Sequence, residues 1–262
     1  MAERNPMLRV DNLRKVYESA KGGVEAIGDL SFTMDAGELL CIVGPSGCGK
    51  TTLLKCIAGL LRPSGGQVTM DGVRVTGPTP SMALVFQEYG RSLYPWLTVR
   101  GNVELPLRHK KLTRTQRARL VTDSLEAVGL AHAAKSHPWQ LSGGMQQRVA
   151  IARAIAYEPE ILIMDEPFAA VDAQTRADLE DLVRDLHRTR GVSVLFVTHD
   201  IDESVYLGER VLVLSASPTR VQETLDVDLP ADRDQITTRA LPRFTELRTH
   251  VYGQIKRAKE PR

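Results

Sequence analysis

Little in this chain suits a disulfide framework, a membrane span or a polyanion. Only three of its 262 residues are cysteine, Cys41, Cys48 and Cys56, an odd number without metal-ligand spacing. A disulfide scaffold and a cysteine zinc site are thereby excluded, and a reducing, cytosolic setting is expected. No apolar stretch approaches the roughly 18 residues that a spanning helix requires. The opening Met-Ala-Glu-Arg-Asn-Pro has no apolar signal region, which again suits a cytoplasmic chain. Net charge is only +2, too weak a balance to argue for nucleic acid. No internal repeat or low-complexity tract occurs. What is present is the composition of an ordinary globular protein, 42% hydrophobic and 25% charged. A chain of this size can bury roughly three quarters of its unfolded surface.

Hydrophobic periodicity separates two kinds of strand. Residues 8–18, 24–38 and 65–76 alternate apolar and polar between Gly-rich breaks, as antiparallel strands do. Leu39–Val43, Ile161–Met164, Val192–Val197 and Val211–Leu214 are nearly continuous apolar runs, suited to parallel strands covered on both faces. Helical patterns lie between them: Leu53, Leu54, Ile57, Ala58 and Leu61 share one face after Lys50, and Leu179, Leu182, Val183 and Leu186 share another after Asp172. A layered α/β core follows. The middle, 88–158, reads as an inserted helical lobe, entered through an aromatic- and Pro-bearing connector, with Thr113 and Gln116 as a capping box. Beyond Pro218 the tail is polar, with helix expected only from about Arg243 to Lys259. The expected divisions are a core in two parts, 1–87 and 159–217, the lobe at 88–158, and the tail at 218–262.

Chemistry concentrates in three places. Gly44-Pro45-Ser46-Gly47-Cys48-Gly49-Lys50-Thr51-Thr52 follows an apolar strand and opens a helix, which is the context of a phosphate-cradling loop. Its glycines let backbone amides point inward at phosphate oxygens, Lys50 adds a point charge, and the Thr51 hydroxyl can ligate Mg²⁺. Asp165 and Glu166 end the strand from Ile161, where one carboxylate can hold a Mg²⁺ hydration shell and the other can accept a proton from attacking water. Taken alone, that pair also reads as an exposed acidic turn before Pro167. Ser142-Gly143-Gly144 makes a helix N-terminus with bare amides and a capping hydroxyl, either a second anion site or a plainly capped helix.

With those motifs in order, the sequence resembles the ATP-binding-cassette ATPases, whose signature is matched by Leu141-Ser-Gly-Gly-Met-Gln146. The resemblance covers residues 8 to about 216. It implies a phosphate-loop (RecA-like) mixed/parallel sheet core with an antiparallel β subdomain and an inserted helical subdomain. It further implies that Tyr17 stacks on adenine, that Gln87 links the site to the lobe and reaches Mg²⁺ with Thr51 and Asp165, and that His199 senses the γ-phosphate. By the same resemblance Glu166 is the catalytic base, Asp172 contacts a dimer partner, and Ser142, Gly143, Gly144 and Gln146 cover ATP in trans. Read singly, Tyr17 is rather a strand aromatic packing on the core. His199 read singly is either a structural histidine or a phosphate contact, and Gln87 says nothing. Ala169 stands where the family often has serine.

The connector Gln87 to Asn102, with Val227-Asp-Leu-Pro230, Arg233-Asp234 and Leu241 to Arg248, is similar to the nitrate/sulfonate/taurine group of importers. That implies a homodimer formed on ATP binding and two separate permease subunits docked on residues 88–102. It also implies a separate solute-binding protein, and a peripheral place on the cytoplasmic face of the bacterial inner membrane. No nucleic-acid partner is expected, since no stacking platform accompanies the basic run Arg108–Arg119. That run reads as a solvated helix face or one near anionic lipid. Tyr94, Pro95, Trp96 and Leu97 form an apolar patch, either a socket for a membrane subunit or side chains packed into the lobe. Cys48, beside Lys50 and a helix N-terminus, reads either as a thiol of lowered pKa and raised reactivity or as a small residue tolerated in the loop. The alternatives are a non-transport cassette ATPase acting on nucleic acid or ribosomes, and a GTPase or kinase on the same loop. Against a GTPase, no Asn-Lys-x-Asp run occurs.

Overall fold

The computed structural model describes residues 6–18, 22–87 and 92–258. They fall into two compact units, one formed by Met1–Thr79 with Val192–Arg262 and the other by Pro80–Gly191. The strands are β1 (Leu8–Tyr17), β2 (Val24–Met34), β3 (Leu39–Val43), β4 (Gly65–Met70), β5 (Val73–Arg74), β6 (Met82–Val85), β7 (Ile161–Asp165), β8 (Ser193–Val197), β9 (Arg210–Leu214) and β10 (Val221–Asp226). The helices are α1 (Lys50–Ile57), α2 (Val99–Glu104), α3 (Arg114–Ala127), α4 (Gly143–Ala156), α5 (Ala173–Arg190), α6 (Ile201–Leu207) and α7 (Pro242–Ala258).

In the first unit the alternating segments pair as an antiparallel sheet ordered β2-β1-β4-β5. The continuous apolar runs behave differently. β3 lies parallel to β8 and to β9, with Leu39 opposite Val194 and Val43 opposite Val213. Every residue of β3 and β8 is buried, so both faces of these strands are covered. Each fully buried Leu or Ile here contributes about 1.5–3 kcal/mol. Helix α6 packs against β3, and α7 packs against α6, β9 and β10. α1 ends at Ile57 rather than at Leu61, because the amides of Leu60 and Leu61 turn back to the Lys55 carbonyl at 2.9 and 3.0 Å.

The polar tail holds a strand that its composition conceals. β10 pairs antiparallel with β9 as an edge strand, and its residues are half-buried or exposed throughout. An edge needs no apolar face, so Val-Gln-Glu-Thr-Leu-Asp carries no strand signal of the usual strength. The sequence reading named no strand there; the helix it expected from about Arg243 is α7.

In the second unit β6 and β7 form a parallel pair, Met82 opposite Ile161 and Val85 opposite Met164. α4 packs on α2 and α3 through buried residues that include Val149, Ile151 and Ile155. The capping box of α3 is present: the Gln116 amide bonds to Thr113 Oγ1 at 3.2 Å, and the Thr113 amide to Gln116 Oε1 at 2.9 Å. In the basic run, Lys110 donates to the Tyr157 carbonyl and lies 4.3 Å from that ring's centroid. Arg117 pairs with Glu104 at 3.8 Å and Arg119 with Asp123 at 3.5 Å. The lobe's own acids thus neutralise part of this face. Among the described residues no helix is long and apolar enough to cross a membrane.

One buried amide organises the connector, whose residues 88–91 lie outside the described residues. Asn102 is fully buried, and its Oδ1 accepts from the Tyr94 amide at 2.8 Å. Its Nδ2 donates to the carbonyls of Tyr94, Leu97 and Thr98 at 3.1, 3.2 and 3.1 Å. Four backbone groups of the loop thus converge on one side chain. Asn102→Ala is therefore expected to lower unfolding stability by about 2–4 kcal/mol, since each of those backbone groups loses a polar partner. Denaturant titration with an unshifted midpoint would contradict this account.

Candidate active site

A parallel strand delivers its C-terminal end to the edge where ligands bind in open α/β sheets. β3 and β8 are neighbours in register, and the Thr198 amide bonds to the Ile42 carbonyl at 3.1 Å. The loop after β3 and the Thr198-His199-Asp200 turn after β8 therefore emerge side by side. His199 is exposed, and Asp200 caps α6 by accepting from the Glu203 amide at 3.2 Å.

The loop after β3 is shaped by close packing and by glycine. A Cβ on Gly44 would stand 3.0 Å from Leu214 Cβ, while Gly49 takes φ +106° at the start of α1, a conformation that side chains disfavour. Pro45 is buried and Ser46 exposed. Lys50 is only 6% exposed, and its ammonium donates to the carbonyls of Gly44 and Pro45 at 3.0 and 3.2 Å. No acidic residue lies in the first turn of α1. The positive end of the helix is thus left to an external anion. Thr51 is exposed beside it.

Tyr17 does not pack on the core as its strand position alone suggested. It is 42% exposed, and its hydroxyl lies 3.2 Å from Thr52 Oγ1 on α1. The exposed ring is thus tied to the phosphate-loop helix, and Lys15 Nζ lies 5.3 Å from its centroid. At Cys48 the structure favours the second of two readings, a small residue fitted into the loop. Cys48 is 2% exposed, and burial pushes its thiol up despite the opposing pull of Lys50. Proximity to a cation does not activate a thiol that water cannot reach.

The second unit carries the acidic pair and the signature turn. β6 and β7 run parallel and end together, which brings Gln87, exposed just beyond β6, to the same end as Asp165 and Glu166. Asp165 is 5% exposed. Glu166 is half-buried and adopts φ 44°, a left-handed conformation that costs a side-chain residue about 1–2 kcal/mol. Strain of this kind collects at functional positions.

Ser142 caps α4, its hydroxyl accepting from the Met145 amide at 3.3 Å. Ser142 and Gly143 are exposed, and the first turn of α4 contains no acid. Gln146 donates its side-chain amide to the Pro138 and Leu141 carbonyls at 3.0 and 3.3 Å, so it anchors its own turn. Asp172 is exposed and caps α5, accepting from the Thr175 amide at 3.0 Å and from its hydroxyl at 2.7 Å. Those bonds hold its carboxyl below the usual carboxylate range. Thr175 escaped the sequence reading, although Asp-x-x-Thr is itself a capping spacing. A Cβ on Gly144 would lie 2.3 Å from Thr175 Cγ2, so that glycine also serves the packing of α4 against α5.

Each unit thus ends a parallel strand in polar groups and presents a glycine-bearing helix N-terminus without acid. Among the described residues no cluster of three or more His, Cys, Asp or Glu is arranged to hold a metal. The donors suit Mg²⁺ arriving with phosphates, since that ion takes one or two carboxylates and completes its shell with phosphate and water. The site is that of a phosphate-loop nucleotidase.

Comparison with known proteins narrows this class. Residues 27–169 match the ABC transporter family. The chain is 42% identical to the nitrate import ATP-binding protein NrtD of Synechocystis sp. over 227 residues, 87% of this chain and 85% of that one. It is 42% identical to the aliphatic sulfonates import ATP-binding protein SsuB of Bacillus licheniformis over 242 residues, 92% and 91% of the two. A dimeric ATP-binding cassette in a post-hydrolysis state, bound to ADP and Pi, superposes with TM-score 0.74 at 32% identity, covering 84% of this chain and 99% of that one. The chain belongs to the ABC transporter family. It is an ATP-binding ATPase of the kind that powers transport.

The contact at Gly144 yields a test separate from catalysis. Gly144→Ala is expected to lower the melting temperature by several degrees, because a new methyl overlaps Thr175 Cγ2. Adding Thr175→Ser removes that methyl, keeps the hydroxyl cap, and is expected to restore most of the loss. An equally unstable double variant would place the strain elsewhere.

Proposed function

We propose that this chain is the ATP-hydrolysing subunit of a bacterial importer for a small solute such as nitrate, a sulfonate or taurine. It works as a homodimer around two ATP molecules, with two permease subunits and a separate solute-binding protein. The observation carrying this reading is that the chain owns two acid-free helix N-termini that open on glycine, at Gly49 and at Gly143. One nucleotide's phosphate tail has oxygens enough for both. A second copy supplies the other, so each phosphate chain is held by the loop of one protomer and by Ser142, Gly143 and Gly144 of the next. Asp172 touches that partner.

Within this arrangement each residue has a task. Backbone amides from Gly47 to Thr51 cradle the phosphates, Lys50 turns its ammonium from its own loop carbonyls to the outer phosphates, and Tyr17 stacks on adenine. Thr51, Gln87 and Asp165 would hold the Mg²⁺ that arrives with the nucleotide, and that ion would neutralise charge developing on the phosphates. Glu166 accepts the proton of the attacking water, its carboxylate aimed by the left-handed backbone. His199 and Gln87 orient that water and report the state of the γ-phosphate.

The surface offered to the permease is the connector. Trp96 is 71% exposed and Tyr94 41%, with their rings edge to face at 5.2 Å. The alternative in which Trp96 packs into the lobe does not fit that exposure. Asn102 holds the backbone beneath them rigid, which suits a socket that transmits force. Seated on a permease through this surface, the chain works at the cytoplasmic face of the inner membrane.

Two variants test the reading. Glu166→Gln is expected to bind ATP as tightly as wild type while turnover falls about 10²–10³-fold. Turnover at the wild-type rate would remove Glu166 from its role. Trp96→Glu is expected to abolish solute uptake in the assembled transporter with basal ATP hydrolysis unchanged, and intact uptake would dismiss the socket.

A further inference from the structure

The segment after β10 grips α6, the short helix that begins just after His199 and Asp200, at both ends. At its C-terminal end Arg233 Nη1 donates to the carbonyls of Val205, Tyr206 and Gly208 at 3.1, 2.6 and 2.9 Å. Those are the acceptors that a helix end leaves unsatisfied, and a guanidinium there also complements the negative end of the dipole. At the first turn Arg248 of α7 lies 3.7 Å from Asp202. Near its C-terminal end the fully buried ring of Tyr206 is also covered by the Arg239 guanidinium at 4.9 Å, which lies 5.9 Å from Phe244.

Asp234 sets the spacing of these contacts. Its Oδ1 accepts from the amides of Ile236 and Thr237 at 3.0 and 2.8 Å, and its amide donates to Thr238 Oγ1 at 2.9 Å. The turn this closes carries the chain from Arg233 to Arg239. Arg233 and Asp234 therefore divide the work: one reaches back to the helix and the other folds the segment that must return to it. α6 also packs against β3, the strand that leads into the phosphate loop. A helix held between that strand and the tail fixes where its N-terminal Asp200, and His199 before it, can stand.

We propose that the tail from Arg233 to Arg248 is a brace that sets the pose of His199, with Arg233 its positioning residue acting through α6. The proposal rests on the reading of His199 as the γ-phosphate contact. Loosening the brace changes the orientation of the sensor without removing any group that binds ATP. Turnover falls while nucleotide affinity stays, because misplacement by a fraction of an ångström weakens the reacting geometry far more than the ground-state complex.

The test uses the full-length chain in steady-state hydrolysis and equilibrium ATP binding, with four single variants and one double. Arg233→Ala is expected to lower kcat about tenfold at unchanged ATP affinity, and Arg233→Lys, which keeps a cation at the helix end, to recover part of it. Arg248→Ala breaks only the exposed bridge to Asp202 and is expected to fall between wild type and Arg233→Ala, which keeps the idea testable should Arg233→Ala fold poorly. Combining Arg233→Ala with His199→Ala is expected to cost no more than His199→Ala alone, since both act on one group. Additive losses, or full turnover in both Arg233→Ala and Arg248→Ala beside a slow His199→Ala, overturn the brace alone. Full turnover in His199→Ala overturns the sensor assignment itself, and the brace with it.

Discussion

A helix N-terminus carries amides that the helix cannot satisfy, and in this protein α1 and α4 begin theirs on glycine with no acidic side chain in the first turn. α1 and α4 share that property and little else: α1 follows a buried strand and a tight loop, whereas α4 is capped by the Ser142 hydroxyl. Much of the remaining structure keeps those amides where phosphate can reach them. β3 is buried along its whole length, so the loop that follows it has a fixed origin. Lys50, nearly enclosed, is held by the loop's own carbonyls and so waits within the cradle rather than outside it.

Packing and strain appear where the chemistry requires a definite direction. Gly144 lets α4 approach Thr175, and Thr175 completes the cap that Asp172 makes on α5. The signature turn and the Asp172 turn are in this way one packed object, although they are distant in sequence. Glu166 accepts a left-handed backbone at the end of a strand whose every residue is buried. A carboxylate in a relaxed turn would cost less and point less definitely. Asn102 plays the equivalent part in the connector, where four hydrogen bonds hold a loop that exposes Trp96.

Several features are legible in the sequence because short-range pattern determines them. The continuous apolar runs form buried parallel strands, the alternating ones an antiparallel sheet, and Thr113 with Gln116 a capping box. Other features resist such reading because the deciding term is long-range. β10 is an edge strand whose pairing with β9 supplies what its composition lacks. Cys48 has the cation and helix terminus of a reactive thiol nearby, but burial outweighs both. Tyr17 sits on a strand yet faces outward, because its hydroxyl partner lies on α1.

The sequence by itself determined which residues make up the candidate site, since glycine, lysine, threonine and paired carboxylates at set spacings follow from local backbone geometry and charge. It determined also the alternation of strand and helix that orders them. Only the tertiary structure decided which of those groups are exposed, which are buried and which are held by others. The Arg233 contacts with the end of α6 and the Thr175 contact with Gly144 join residues far apart in the chain. Burial and long-range contact depend on what the rest of the chain brings alongside, and no local spacing encodes that.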